Sequence, residues 1–316
     1  MYDSLNMKLT NLDAPDTDFL SETAQYFDVS EEHNFDGEVV LSGFLNNELK
    51  VTAKRNCIRL SGSLCKYYLS DNFQTLGRGD TQRAIERLSD TLHLPIEKAN
   101  VSRLDIAQNF ILKKGVENYY NHFGELKHGG RSPITRNGEI EGMYYYQSKG
   151  LLVFYDKVKE QMTKRQSIPE LYQNRNVMRY EQRYLRRLPK ALNVERVTAS
   201  MLYSEKFYMD VINRWKENYF NIKKLNDITL NFEGMKSKKD LHNRGVLALV
   251  QMAGGELNFI SQIQEAQRNG TISRKQAFDI KQAVTSACKE KSGITAKNDC
   301  ILELDRKIIE AVKFYR

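Results

Sequence analysis

The sequence predicts an α+β protein, a central antiparallel sheet with flanking helices followed by a mostly helical C-terminal region. Three observations predict it. Segments of alternating polarity, the mark of half-buried strands, recur between Gly37 and Leu185. Shorter helix-period segments lie among them. After Pro189 the apolar spacing becomes mostly helical. The expected division is residues 1–192 as the α+β domain and residues 193–316 as the helical region.

The stretch from Gly37 to Leu69 is rich in Val, Leu and Tyr. It reads as strands over Glu38–Phe44, Glu48–Lys54 and Cys57–Leu69, with a turn at Asn46 and Asn47 and a bend at Gly62. Asp80 or Thr81 caps a helix reaching Leu92, which sets Ala84, Ile85, Leu88 and Leu92 on one side. A strand is predicted over Asn100–Leu112, then a short helix over Val116–Phe123 and a polar, glycine-containing loop over Lys127–Gly142. Strands follow at Met143–Gln147, Leu151–Tyr155 and Asn176–Leu185. Farther on, Ser273 and Gln276 make a capping-box pair ahead of Ala277, Ile280, Val284 and Ala287, which share a helical face. Ile301, Leu304, Ile308 and Val312 repeat that spacing.

Composition narrows the function classes. Only 5 Pro and no Pro/Gly/Ser-rich linker argue against long disorder. Four scattered cysteines without C-x-x-C spacing predict neither a disulfide framework nor a zinc cluster. Five histidines include no H-E-x-x-H and no His-x-His pair, so no histidine metal site is signalled. The N-terminus carries acids where a signal peptide carries Lys/Arg, and the apolar stretch Gly245–Ala253 is too short to span a bilayer. A cytoplasmic protein with no membrane partner is expected. The net charge of +8 favours a polyanionic partner. Between Gln161 and Arg196 nine Lys/Arg stand against three acids, either a solvated face or a phosphate-tracking groove.

Strand periodicity then groups the reactive side chains. In VSRLDIAQNF, Arg103, Asp105 and Asn109 share one face, opposite Leu104, Ile106 and Phe110. In NVMRYEQRYL, Arg179, Glu181 and Arg183 share a face, opposite Met178 and Tyr180. Two carboxylates facing one space invite a cation or a proton, and Mg²⁺ or Mn²⁺ is commonly held by one or two carboxylates. The alternative is a ladder of surface ion pairs. In LLVFYDKVKEQ, Tyr155 ends a strand that yields directly to a helix, where Lys157 and Glu160 meet on the first turn.

Four strings occur in the order and approximate spacing of one known group: GSLCKYYLSDNFQ (62–74), SRLD (102–105), the Y-x-K-x-x-E element of Tyr155, Lys157 and Glu160, and RYEQR (179–183). Together they resemble the replication initiators of filamentous phages, the gene II/X proteins, and related plasmid initiators. The likeness spans Leu41 to Leu192. It implies a sheet-centred rolling-circle nickase that cuts one strand at an origin and stays attached through tyrosine. Tyr155 is then the nucleophile, Lys157 and Glu160 its catalytic neighbours, and Asp105 and Glu181 the ligands of Mg²⁺ or Mn²⁺. The His-hydrophobic-His metal motif of the wider nickase class is absent from the sequence. Arg103, Asn109, Arg179, Arg183, Arg186 and Arg187 are the candidate DNA contacts. The expected partners are single-stranded or extruded origin DNA and the host helicase and polymerase; a dimer is one option for the assembly. The competing readings are a non-catalytic origin-binding regulator and a mobilisation relaxase.

Overall fold

The computed structural model describes residues 1–35, 37–136, 139–225, 227–228, 235–289, 295–296 and 298–315. Its first half sets out β1 (Tyr2–Thr10), α1 (Phe19–Thr23), β2 (Asp28–Phe35), β3 (Glu38–Leu45), β4 (Leu49–Lys54) and β5 (Cys57–Ser63). Next come α2 (Leu64–Leu69), α3 (Arg78–Leu92), β6 (Asn100–Leu112), α4 (Glu117–Tyr120), β7 (Phe123–Leu126), β8 (Gly130–Arg136) and β9 (Glu139–Gln147). Then follow β10 (Gly150–Asp156), α5 (Lys157–Thr163), β11 (Asn176–Tyr184), α6 (Leu188–Leu192) and α7 (Glu205–Phe220). The last part holds β12 (Ile222–Lys224), β13 (Asp227–Ile228), α8 (Lys238–Met252), α9 (Glu256–Arg268), α10 (Arg274–Lys289), β14 (Thr295–Ala296) and α11 (Asp299–Phe314).

Ten strands make one antiparallel sheet in the order β2-β3-β4-β5-β1-β6-β11-β10-β9-β8. The predicted class therefore holds: an antiparallel sheet with helices, then a helical C-terminal region. The centre is β1, which pairs with β5 on one side and β6 on the other. Its alternation is plain, with Leu5, Met7 and Leu9 each at most 2% exposed.

One face of the sheet carries the apolar core. Phe154 of β10 stacks on Tyr180 of β11 with centroids 4.4 Å apart, and Tyr180 stacks on Trp215 of α7 at 4.8 Å. The Tyr180 hydroxyl donates to the Trp215 carbonyl at 3.0 Å, so its polar end is satisfied inside the stack. Helix α11 joins the same core through Ile301, Leu304, Ile308 and Val312. The core thus runs across residue 192: α7 and α11, beyond the expected domain boundary, belong to it.

Several boundaries differ from expectation. Cys57–Leu69 is not one bent strand. β5 ends at Ser63, whose hydroxyl accepts from the Lys66 amide at 3.1 Å and starts α2. Gly62 lies at φ +145, a conformation open to glycine, and a Cβ there would meet the Glu48 carbonyl. Helix α3 begins at Arg78, with Asp80 inside its first turn accepting from the Gly77 amide at 3.0 Å. Phe123 leaves the predicted short helix and opens β7, which pairs with β12. The predicted loop Lys127–Gly142 holds β8 and the start of β9, a hairpin whose residues 137 and 138 lie outside the described residues. Residues 229–234 and 290–294, within the region expected to be mostly helical, lie outside the described residues too. No helix among the described residues is long and apolar enough to cross a membrane.

Candidate functional site

The face opposite the aromatic stack carries the charges. Registers place Tyr155 beside Arg179, Arg179 beside Asn109, and Arg183 beside Asp105. Antiparallel pairing with period two then gathers Tyr155, Arg179, Glu181, Arg183, Asp105 and Asn109 on one surface. Tyr155 and both carboxylates share a face because Phe154 and Tyr180, their neighbours in sequence, are drawn into the opposite core.

Tyr155 ends β10, and Asp156 immediately caps α5 by accepting from the Val158 and Lys159 amides at 2.9 and 3.0 Å. Across the sheet, Gly142 of β9 faces Tyr155. A Cβ on Gly142 would come within 2.5 Å of the Phe154 carbonyl and 3.2 Å of the Tyr155 Cβ. Glycine therefore leaves the room in which Tyr155 sits.

The Tyr155 hydroxyl donates to Glu181 Oε1 at 2.8 Å. Arg179 Nε donates to the same oxygen at 2.6 Å, and Arg183 Nε donates to Oε2 at 2.6 Å. Burial opposes the Glu181 charge, but Arg179 and Arg183 outweigh it and hold the carboxyl down at about 2. Arg179 extends the chain inward, donating through Nη2 to Asp3 Oδ2 at 2.5 Å; Asp3 also accepts from the Ser63 hydroxyl at 2.6 Å. A continuous relay results: Asp3, Arg179, Glu181, Tyr155. Burial and the Glu181 carboxylate push the Tyr155 phenol well above the usual tyrosine value.

Asp105 is 3% exposed and accepts from Arg103 at both oxygens, Nε at 3.1 Å and Nη2 at 2.6 Å. Burial raises its pKa in spite of that pair. Lys157, 1% exposed, donates to Glu160 at 2.8 Å and lies over the Phe73 ring at 5.5 Å. Burial and then Arg179 lower Lys157 to about 8. Glu160, against the pull of burial, is held at about 2 by Lys157 and Lys164.

A cavity of about 510 Å³ opens over this face. Tyr155, Lys157, Glu160, Asp105, Glu181, Arg103 and Arg183 all line it. The other candidates lie elsewhere. Arg179 is 0% exposed and fully engaged, so its guanidinium holds carboxylates and does not meet a phosphate in this arrangement. Asn109 is buried and ties the Asn72–Phe73 backbone to the sheet, donating to both carbonyls at 3.1 and 2.7 Å. Arg186 and Arg187 are exposed past the end of β11, where the Arg186 amide donates to the Lys149 carbonyl, outside the cavity.

Nothing in the sequence singles out Asp3, since plain alternation assigns it to the face of Leu5, Met7 and Leu9; a register shift between Tyr2 and Leu5 in the pairing of β1 with β6 accompanies its turn toward Arg179. Among the neighbouring tyrosines, Tyr144 lines the cavity beside Val153. Tyr145 points to the other face, fully buried and bonded to the Gly124 carbonyl.

Whether a divalent cation fits can be judged from the donors. Asp105 and Glu181 are hard oxygen ligands of the kind Mg²⁺ or Mn²⁺ takes. Their oxygens are engaged by arginine or phenol here, and among the described residues no group of three His, Cys, Asp or Glu stands close enough to hold a metal. Arg103 and Arg183 are the more exposed partners, with side chains 35% and 28% exposed. They are the ones able to turn away. The pair thus fits a hard cation in donor type once those arginines are drawn off.

The sheet thus carries a buried charge relay and, over one face, a cavity lined by both acids and bases. The chain belongs to the family described as the N-terminal part of the phage gene II replication-associated protein, whose sequence model matches residues 1–205. It is a phage replication initiator of the gene II family, and its partner is DNA. A comparison with curated proteins found no match.

Proposed function

We propose that this initiator nicks and rejoins one strand at a replication origin, with Tyr155 as nucleophile. The observation that carries the reading is the Tyr155 hydroxyl, bonded to Glu181 at the mouth of α5 within one cavity with Asp105, Lys157 and Glu160. Tyr155 attacks the scissile phosphorus in line, the bond to the 3′-oxygen breaks, and a 5′-phosphotyrosine forms. The phenol proton passes toward Glu181 and on to water, and the departing 3′-oxygen takes a proton from water. Return attack by a 3′-hydroxyl reverses these steps, so rejoining needs no further energy source. Meanwhile the freed 3′-hydroxyl primes a host polymerase, with a host helicase opening the duplex.

An unassisted phenol is a weak nucleophile at neutral pH. Entry of a phosphate supplies a new partner for Arg103 and Arg183, which flank the cavity and are the exposed members of their pairs. Their departure frees Asp105 and Glu181 to hold Mg²⁺ or Mn²⁺, which when bound offsets phosphate charge. Lys157 and Glu160 brace the first turn of α5 directly after Tyr155. The positions of Arg103 and Arg183 suit single-stranded or extruded DNA, whose backbone can enter the cavity without a paired strand.

The test is incubation of a labelled single-stranded origin oligonucleotide with the protein and Mn²⁺, read by denaturing electrophoresis. We expect a covalent adduct with the parent chain and a loss of at least about 10³-fold with Tyr155→Phe, as for removal of a nucleophile. An adduct persisting in Tyr155→Phe would remove Tyr155 from the role and turn attention to Tyr144. A second reading, a DNA-binding regulator without cleavage, draws on one observation: burial and Glu181 keep the phenol protonated. Binding of the same oligonucleotide with no adduct under any divalent ion would favour it.

A further inference from the structure

Helices α8, α9 and α10 fold around a small core of their own. Val250, Ile263, Ala277 and Val284 form it, with Val246, Phe259 and Ile272 packed against them. None of these residues belongs to the core of the sheet. Over residues 235–289, nine Lys/Arg stand against four Asp/Glu. This segment therefore carries a net +5 of the chain's +8.

Helix α10 sorts its residues sharply. Ala277, Val284 and Ala287 turn inward. Arg274, Lys275, Phe278 and Gln282 are exposed, with one acid, Asp279, exposed among them, and Phe278 is 63% exposed beside the two cations of the first turn. An isolated surface phenylalanine needs no explanation. One set among cations on a charge-rich helix whose opposite side is already packed points to a partner with an apolar and an anionic part. Duplex DNA has both, in phosphates and in base and sugar edges. The helix is 16 residues long, about 24 Å, and of a width the major groove admits. Ser273 and Gln276 close its start, the Ser273 amide donating to Gln276 Oε1 at 2.8 Å, which fixes the first turn bearing both cations.

We propose that the outward face of α10 is a duplex-DNA binding surface, separate from the cavity that takes the strand to be cut. Arg274 and Lys275 meet phosphates, where the positive end of the helix adds to their charge. Phe278 makes the apolar contact and Gln282 reaches a base edge. The proposal rests on the reading that this initiator acts on DNA, but it concerns binding and not cleavage.

The test is fluorescence-anisotropy binding of the full chain to a labelled duplex of about 30 base pairs, roughly three helical turns, across a salt series. For R274E/K275E we expect duplex affinity to fall at least tenfold, with the slope of log K against log salt shallower by about 2. Adduct formation on the single-stranded oligonucleotide should stay unchanged. R274Q/K275Q, which removes charge without reversing it, gives a smaller loss in the same direction and keeps the result readable if reversal disturbs α10. Duplex affinity within twofold of the parent in both variants would overturn the proposal. So would a change of oligomeric state in both variants that by itself accounts for the lost affinity, since the surface would then serve a second copy of the chain. An adduct-negative parent that still loses duplex binding in R274E/K275E would count against Tyr155 chemistry and leave α10 standing.

Discussion

Strand β11 buries both of its faces, and the two are held by different physics. On one side Tyr180 lies in a stack with Phe154 and Trp215, fully buried and apolar apart from one hydroxyl. On the other, Glu181 is 4% exposed yet ionised, because two guanidinium groups surround it. The first face is stabilised by area removed from water and tolerates small changes of shape. The second depends on every member being present, since a buried charge that loses its partner has no water to replace it. One strand thus joins a forgiving surface to an unforgiving one, and the unforgiving one faces the cavity.

The largest expected effect comes from breaking the charged side. Glu181→Gln leaves buried Arg179 with Asp3 as its one carboxylate partner and should cost about 3–5 kcal/mol in denaturant unfolding, the range for a buried pair stripped of one partner. A loss below about 1 kcal/mol would mean that Arg179 and Arg183 find other partners cheaply.

Acid sharpens the contrast. Glu181 and Glu160 are held at about 2, below the usual carboxylate value near 4.3. Folding is favoured by their charged forms, so that stability is fully present above the usual value and is lost as pH falls from about 4.5 through about 2. Asp105, shifted upward, works in the opposite direction and offsets part of this loss. Thermal midpoints of the parent should drop across that window, and those of Glu181→Gln should drop less. Equal slopes would remove Glu181 as the source.

The smallest effect belongs to the apolar side. Phe154→Leu keeps a buried hydrocarbon in the stack and should cost about 1 kcal/mol by unfolding while leaving adduct formation near the parent level. A strong loss of adduct would show that the aromatic stack positions Tyr155, its neighbour in the chain.

Much of this was readable in the sequence where the period was clean. β6, β10 and β11 were placed from alternation alone, and alternation also put Asp105, Glu181 and Tyr155 on faces able to coincide. What a single strand cannot reveal is its neighbour. The arginine flanking each acid reads equally as a phosphate contact or as its salt-bridge partner, and only the register showed Arg179 turned inward. Asn109 likewise reads as a polar surface residue until the Asn72–Phe73 backbone is seen folded over it. Asp3 escaped because the arginine it holds is 176 positions away. The β8–β9 hairpin was hidden by polarity, since an outer strand with two wetted faces has no buried stripe to announce it.

The position of β1 sets an order of assembly during synthesis. Leu9 pairs with Ile58 and Leu5 with Leu104, so β1, made before both neighbours, gains one after about fifty residues and the other only after about a hundred. Until β6 leaves the ribosome, β1 offers an open edge at what will become the middle of the sheet. The partner of Asp3, Arg179, is made later still, so nascent chains ending before β11 hold this acid without its guanidinium partner at the place where the cavity will form.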